Sequence, residues 1–87
     1  MNATAVPQAD RQVELIRKWL LERERNAAMT QIDMDLDLID ARVLDSLDFL
    51  NFVHLLEEIT NRELTIDAQS AGVFRTLRSI RDNILAQ

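Results

Sequence analysis

Residues 46–60 read SLDFLNFVHLLEEIT, and the spacing of their apolar side chains decides the fold class. Phe49, Phe52, Val53, Leu56 and Ile59 recur at steps of three and four residues, which gathers them on one face of a helix. Leu47 falls nearly opposite them, on a strip shared with Asn51, His54 and Glu58, and Leu50 sits at its edge. The pattern predicts a helix from about Ser46 to Thr60. One stripe of it is buried, and its outer strip is polar and acidic with a leucine near its start.

Working outward, a first helix is expected from about Asp10, as N-cap, to about Arg25. Val13, Ile16, Trp19 and Leu20 form its inward stripe, with Leu15 less central, and Trp19 reads as a core anchor. Residues 1–9, small and polar around Pro7, are expected to be flexible. Asn26 to Asp45 shows no sustained helical period and is long for a connection. Its alternation of Met34, Leu36 and Leu38 with Asp33, Asp35 and Asp37 could mimic a strand. Ile32, Ile39, Val43 and Leu44 add enough apolar anchors to favour an ordered loop packed on the helices.

Beyond the helix of residues 46–60, Asn61 acts as a stop, and Leu64 and Ile66 are expected to return to the core before a short helical turn from about Asp67 to Ala71. Gly72 reads as a break, Val73 and Phe74 as anchors, and Thr76 as the cap of a last helix through Leu77, Ile80, Ile84 and Leu85. Arg75, Arg78 and Arg81 are expected on a solvated flank of that helix, balancing the acidic one. The fold class is therefore all-α, a small four-helix bundle of three main helices and one short one with a long ordered loop between the first two, the helical domain spanning residues 10–87.

Composition narrows the chemistry. An 87-residue chain is one domain that buries roughly 60 to 65% of its unfolded surface, which leaves little room for a deep cleft. Hydrophobic residues make up 47% of it with one Gly and one Pro, which argues against disorder and against a turn-rich β fold. With no Cys there is no thiol nucleophile or thiolate metal site, so sulfur chemistry would require a prosthetic group. No apolar run approaches the ~20 residues of a membrane span and no secretory signal is evident, so a cytoplasmic location is expected. The net charge is −5, concentrated between Asp33 and Glu63, where nine acids face two arginines. That centre repels nucleic acid and anionic lipid and steers basic protein surfaces toward itself.

Individual candidates sort quickly. His54 is the sole histidine and has no Cys or second His to share a metal, so it reads as a surface residue. Asp33, Asp35 and Asp37 resemble the opening of a calcium loop, but Leu38 stands where that loop needs Gly and Leu44 where it needs Glu. No nucleophile and base pair or phosphate-binding glycine loop can be assembled, so an enzyme is not expected. Ser46 has two readings. As a helix N-cap it contributes about 1 kcal/mol. As an exposed hydroxyl at a helix N-terminus it marks a place where an attached phosphate is electrostatically favoured.

The run Leu38-Ile39-Asp40-Ala41-Arg42-Val43-Leu44-Asp45-Ser46-Leu47-Asp48-Phe49, continuing to Leu56-Glu57-Glu58, resembles the phosphopantetheine attachment region of acyl and peptidyl carrier proteins. With Asn61-Arg62-Glu63-Leu64 and Phe74-Arg75-Thr76-Leu77, it looks closest to discrete carriers of specialised polyketide or nonribosomal peptide pathways. The resemblance covers roughly Ile32 to Ile84. It implies that Ser46 receives a 4'-phosphopantetheine arm from coenzyme A through a phosphopantetheinyl transferase, and that the arm carries an acyl or aminoacyl thioester. It implies a partner surface formed by Asp45, Leu47, Asp48, Leu50, Asn51, His54 and Glu58. The partners would be the transferase, a loading enzyme and a downstream synthase or transferase, met by a monomer with neither nucleic acid nor membrane. Three positions depart from the commonest pattern: Val43 replaces a frequent glycine, Asn51 a frequent acid and Thr60 a frequent aromatic. The competing expectation is an unmodified acidic helical adaptor that binds a basic partner and uses Ser46 only as a cap.

Overall fold

The computed structural model describes residues 8–67 and 71–86, and among these every regular element is helical. Helix α1 spans Gln8–Leu21, a 3-10 turn follows at Glu24–Asn26, and α2 spans Ser46–Thr60. A second 3-10 turn, Ala71–Phe74, precedes α3, Leu77–Ile80, which widens into a π-helical turn at Arg81–Leu85.

The three helices share one core. Val13, Ile16 and Leu20 of α1, Phe52, Val53 and Leu56 of α2, and Leu77, Ile80, Ile84 and Leu85 at the C-terminal end are all buried. Trp19 is half-buried with its ring centroid 6.0 Å from that of Phe52, and Phe49 meets Phe74 edge-on at 5.9 Å. Residues between α1 and α2 complete the core: Ile32, Leu38, Val43 and Leu44 are as buried as the helical residues.

Several boundaries differ from those the sequence suggests. Helix α1 already includes Gln8 and Ala9, so Asp10 lies inside it and does not cap it; residues 1–7 fall outside the described residues. It ends at Leu21, not Arg25, because the positions that would extend the buried stripe beyond Leu20 are Arg23 and Glu24. Arg23 lies over the Trp19 ring at 4.2 Å instead, and the chain turns to bury Asn26. Leu15 is 57% exposed, since its side of α1 is shared with the exposed Arg11, Lys18 and Glu22. Ile66 is also exposed: the extended stretch after α2 is held by Leu64, whose amide donates to Glu57 Oε2 at 2.9 Å. The short helix expected from Asp67 to Ala71 lies largely on residues 68–70, outside the described residues. Gly72 does not break the chain but sits within the Ala71–Phe74 turn.

The arginines near the C-terminus also find different partners. Arg75 Nε donates to Asp37 at 2.7 Å and its Nη2 to Asp40 at 2.8 Å. Arg78 grips both oxygens of Asp35, at 2.6 and 3.1 Å, and Arg81 lies near Asp10 and Asp82. They therefore strap the α1–α2 connection and α1 rather than balance α2. Backbone bonds reinforce the strap. Met34 and Thr76 between them satisfy two open amides of α3, the Met34 carbonyl accepting from Arg78 N–H (3.0 Å) and Thr76 Oγ1 from Ser79 N–H (3.1 Å). At the end of α2, Asn61 takes the left-handed conformation (φ 56°) and Arg62 N–H returns to the Glu57 carbonyl. The Arg62 side chain donates to the Ile84 carbonyl, closing the C-terminal end onto α2.

Two outcomes test this packing. Phe52 is fully buried in the shared core with the Trp19 ring of α1 beside it, so Phe52→Ala should cost about 3 kcal/mol or more. Urea unfolding measures the loss, which is a large part of what so small a domain has. The second concerns acid. Hydrogen bonds from Arg78 hold Asp35 below the ordinary 3.8, and those from Arg75, then from the Asp40 amide, do the same for Asp37. A depressed carboxylate contributes stability above its unfolded value and loses it as pH falls through the folded one. Thermal melts should therefore show a decline beginning near pH 3.8 and continuing below it, and the double variant Arg75→Gln/Arg78→Gln should flatten that decline.

Candidate functional site

The segment that delivers Ser46 is built as a single helical turn with both ends capped. Asp37 starts it: its Oδ1 accepts from the amides of Ile39 (3.0 Å) and Asp40 (2.9 Å). At the other end Arg42 N–H bonds the Ile39 carbonyl and Val43 N–H the Leu38 carbonyl, the paired closure of a Schellman motif. Leu38 and Val43, which such a closure brings together, are both fully buried. The motif requires a left-handed residue at its corner, and that residue is Arg42, with φ 61°. Glycine normally fills this corner, and a side chain there costs roughly 1 to 2 kcal/mol.

Leaving the turn, the chain is fixed by Asn26, the one buried polar side chain among the described residues. Its Nδ2 donates to the Leu20 carbonyl (2.7 Å) and the Val43 carbonyl (3.2 Å), joining the end of α1 to the approach to α2. Two residues later comes the cap, and it is Asp45, not Ser46. Asp45 is extended, its Oδ1 accepts from Asp48 N–H at 2.8 Å, and its Oδ2 lies 3.3 Å from Arg25. A carboxylate outcompetes a hydroxyl for this place because it answers both the helix dipole and a nearby guanidinium. Ser46 becomes the first residue of α2. It is exposed, and among the described residues its hydroxyl has no hydrogen-bond partner. The amides of Ser46 and Leu47 likewise lack an acceptor there.

Beside Ser46 lies an open groove of about 530 Å³. Ile39, Leu44 and Phe49 contribute its apolar lining and Arg25, Arg42 and Arg75 its cationic one. Arg25 is engaged by Asp45, and Arg75 by Asp37 and Asp40. Arg42 is exposed and has no ion-pair partner among the described residues.

The other residues singled out from the sequence lie along the outer face of α2. Leu47 is 79% and Leu50 67% exposed, and Asn51, His54 and Glu58 are exposed with them. Asp48 is half-buried next to the cap, and His54 Nδ1 stands 3.8 Å from Glu57. Helix α2 carries no lysine or arginine, so this face keeps its negative charge. The groove itself was missed. Asp37 before an apolar turn was a readable cap signal, but an arginine gives no hint of a left-handed corner, and Arg25 and Arg75 are distant in sequence. Compared with known proteins, the chain matches no family model and has no significant match to a curated protein or a solved structure.

The cap assignment is directly testable. Asp45→Ala should cost about 1 kcal/mol, while Ser46→Ala, removing an unpartnered hydroxyl, should stay within about 0.5 kcal/mol of the parent in urea unfolding.

Proposed function

We propose that this chain is a carrier protein of the acyl or peptidyl carrier type, modified at Ser46 with 4'-phosphopantetheine and without catalysis of its own. One observation carries the reading: a solvated serine hydroxyl with no competing hydrogen bond among the described residues, at the start of a helix, directly followed by an exposed leucine. A capping serine would have its oxygen engaged with an amide; with Asp45 in that role, Ser46 Oγ is available as a nucleophile.

The surroundings fit a phosphodiester at this atom. The unclaimed amides of Ser46 and Leu47 and the positive end of α2 favour an anion, while Asp45 and Asp48 oppose it across solvent. In the attachment step Ser46 Oγ bonds to the phosphorus next to the pantetheine of coenzyme A. Adenosine 3',5'-bisphosphate leaves, and the serine proton passes to the transferase, with magnesium supplied alongside coenzyme A. The arm would supply a terminal thiol that holds an acyl or aminoacyl group as a thioester, which suits a chain without cysteine.

Leu47, Leu50, Asn51, His54 and Glu58, with Asp45 and Asp48 at the helix start, form the surface offered to the transferase, a loading enzyme and a downstream synthase or transferase. An acidic strip with leucine knobs selects basic partners with apolar pits, and its charge sets encounter rates more than affinity. Polyketide or nonribosomal peptide biosynthesis in the cytoplasm, a monomeric state, and a four-helix arrangement with a long ordered connection before α2 belong to the same reading.

Incubation with coenzyme A, magnesium and a broad-specificity phosphopantetheinyl transferase should add the mass of one phosphopantetheinyl group and create one acylatable thiol. Ser46→Ala should abolish both and keep the fold, and Leu47→Ala should slow attachment with an unchanged melting temperature. No mass gain with several active transferases would favour the unmodified adaptor, and a gain that survives in Ser46→Ala would move the site.

A further inference from the structure

The chain holds ten lysines and arginines, and among the described residues all but Arg11, Lys18 and Arg42 meet a carboxylate, a carbonyl oxygen or an aromatic ring. Two of those exceptions share one strip of α1. Arg11 and Lys18 flank Leu15, one helical turn to either side, and all three side chains are exposed. An exposed leucine between two unpaired cations is the reverse in sign of the outer strip of α2. There the exposed Leu47 and Leu50 accompany Asp48 and Glu58, no basic residue occurs, and neither acid has an ion-pair partner among the described residues.

We propose that the two strips recognise each other between copies of the chain: the α1 strip of one docks antiparallel on the α2 strip of another, a weak heterologous pairing. Spacing and sign select this occupant. With Leu15 set against Leu50, Lys18 comes level with Asp48 at the start of α2, and Arg11 reaches toward Glu58. The cations stand about 10 Å apart along α1 and the acids about 15 Å apart along α2, a difference that two long side chains absorb. A parallel crossing sets Glu22 near Glu58 instead. Pairing like with like is worse: two α1 strips that align Leu15 with Leu15 bring Arg11 beside Lys18, and two α2 strips that align their leucines bring Asp48 beside Asp48.

An apolar centre rimmed by opposite charges is the anatomy of a specific contact, and strips this short make a weak one. The dilute chain is therefore the monomer of the carrier reading, and association grows with concentration. Resting on that reading, the pairing has a consequence for attachment. It covers Leu47 and the approach to Ser46, so an associated copy is withheld from the transferase until dilution or a basic partner surface displaces the α1 strip.

The chain has no cysteine, so Glu22→Cys at the end of the α1 strip gives a single site for a nitroxide label. Mixed at high concentration and low salt with an isotope-labelled chain that lacks the nitroxide, it should broaden amide signals along α2 of that second chain. The broadening should be strongest at Leu47, weaken toward Glu58, and fade with dilution or added salt. In the nitroxide-bearing chain, Arg11→Gln/Lys18→Gln should lower the broadening about two- to fivefold, the range of an exposed ion pair, and Leu15→Ser at least as much. Neither touches a buried side chain, so melting temperatures should hold. Arg42→Asn removes the third free cation at a left-handed corner that asparagine tolerates, and should change nothing. Unbroadened α2 signals, or broadening confined to α1 of the second chain, would overturn the pairing whether or not the protein gains the phosphopantetheinyl mass. A protein that pairs as described but never gains the mass would refute the carrier reading alone. In a protein that does gain it, the rate of attachment per chain should fall at high concentration and recover in Leu15→Ser; a rate independent of concentration would overturn the masking of Ser46.

Discussion

The backbone of one buried residue, Leu38, ties the site to the rest of the molecule. Its carbonyl accepts from the amides of both Val43 (2.9 Å) and Leu44 (3.1 Å), and its own amide donates to the Arg75 carbonyl at 2.7 Å. Its side chain is fully buried beside those of Val43 and Leu44. The first two bonds set the exit direction of the turn that leads to Asp45, and the third anchors that turn to the strand of chain entering α3. A peptide group buried among apolar side chains must have its bonds made internally, since leaving one unmade costs about 1 to 3 kcal/mol. That penalty keeps the start of α2 in place without any helix spanning the connection.

Charge is divided between two tasks. Asp35, Asp37 and Asp40 are engaged by Arg75 and Arg78, so much of the acidity in the middle of the chain is spent on holding the connection against α3. Single exposed ion pairs contribute little, but here one guanidinium bridges two carboxylates and another grips both oxygens of a third, an arrangement that resists being pulled apart one bond at a time. The acids of α2 have no such partners on their own helix. The net charge therefore misstates the surface: much of the loop's charge is offset by Arg75 and Arg78, and the outer face of α2 retains the field that a partner would sense.

The helix N-terminus shows how a local assignment can shift by one residue and change its chemistry. Asp45 and Ser46 are both good capping residues, and both precede the same apolar period. The choice between them is made by Arg25, on a 3-10 turn twenty residues earlier in the chain, which stands beside the Asp45 carboxylate. With the carboxylate engaged, the hydroxyl is left over. A capped Ser46 would serve the helix; an uncapped one is free for something else.

What the sequence determined by itself was what repeats at helical spacing. The stripe Phe52, Val53 and Leu56, the exposed Leu47 and Leu50, and the burial of Leu77, Ile80, Ile84 and Leu85 were all legible, because a periodic pattern states which face turns inward wherever the helix packs. Ile32, Val43 and Leu44 were legible as anchors because several apolar residues in a connection with no helical period of its own are buried only by packing on the neighbouring helices. Non-periodic features were not. That Arg75 reaches across 38 residues to Asp37, that Arg42 turns a left-handed corner and that a groove opens beside Ser46 were decided by tertiary structure alone. Each depends on groups far apart in the chain arriving together, where charge, strain and burial are settled against neighbours that the local sequence does not name.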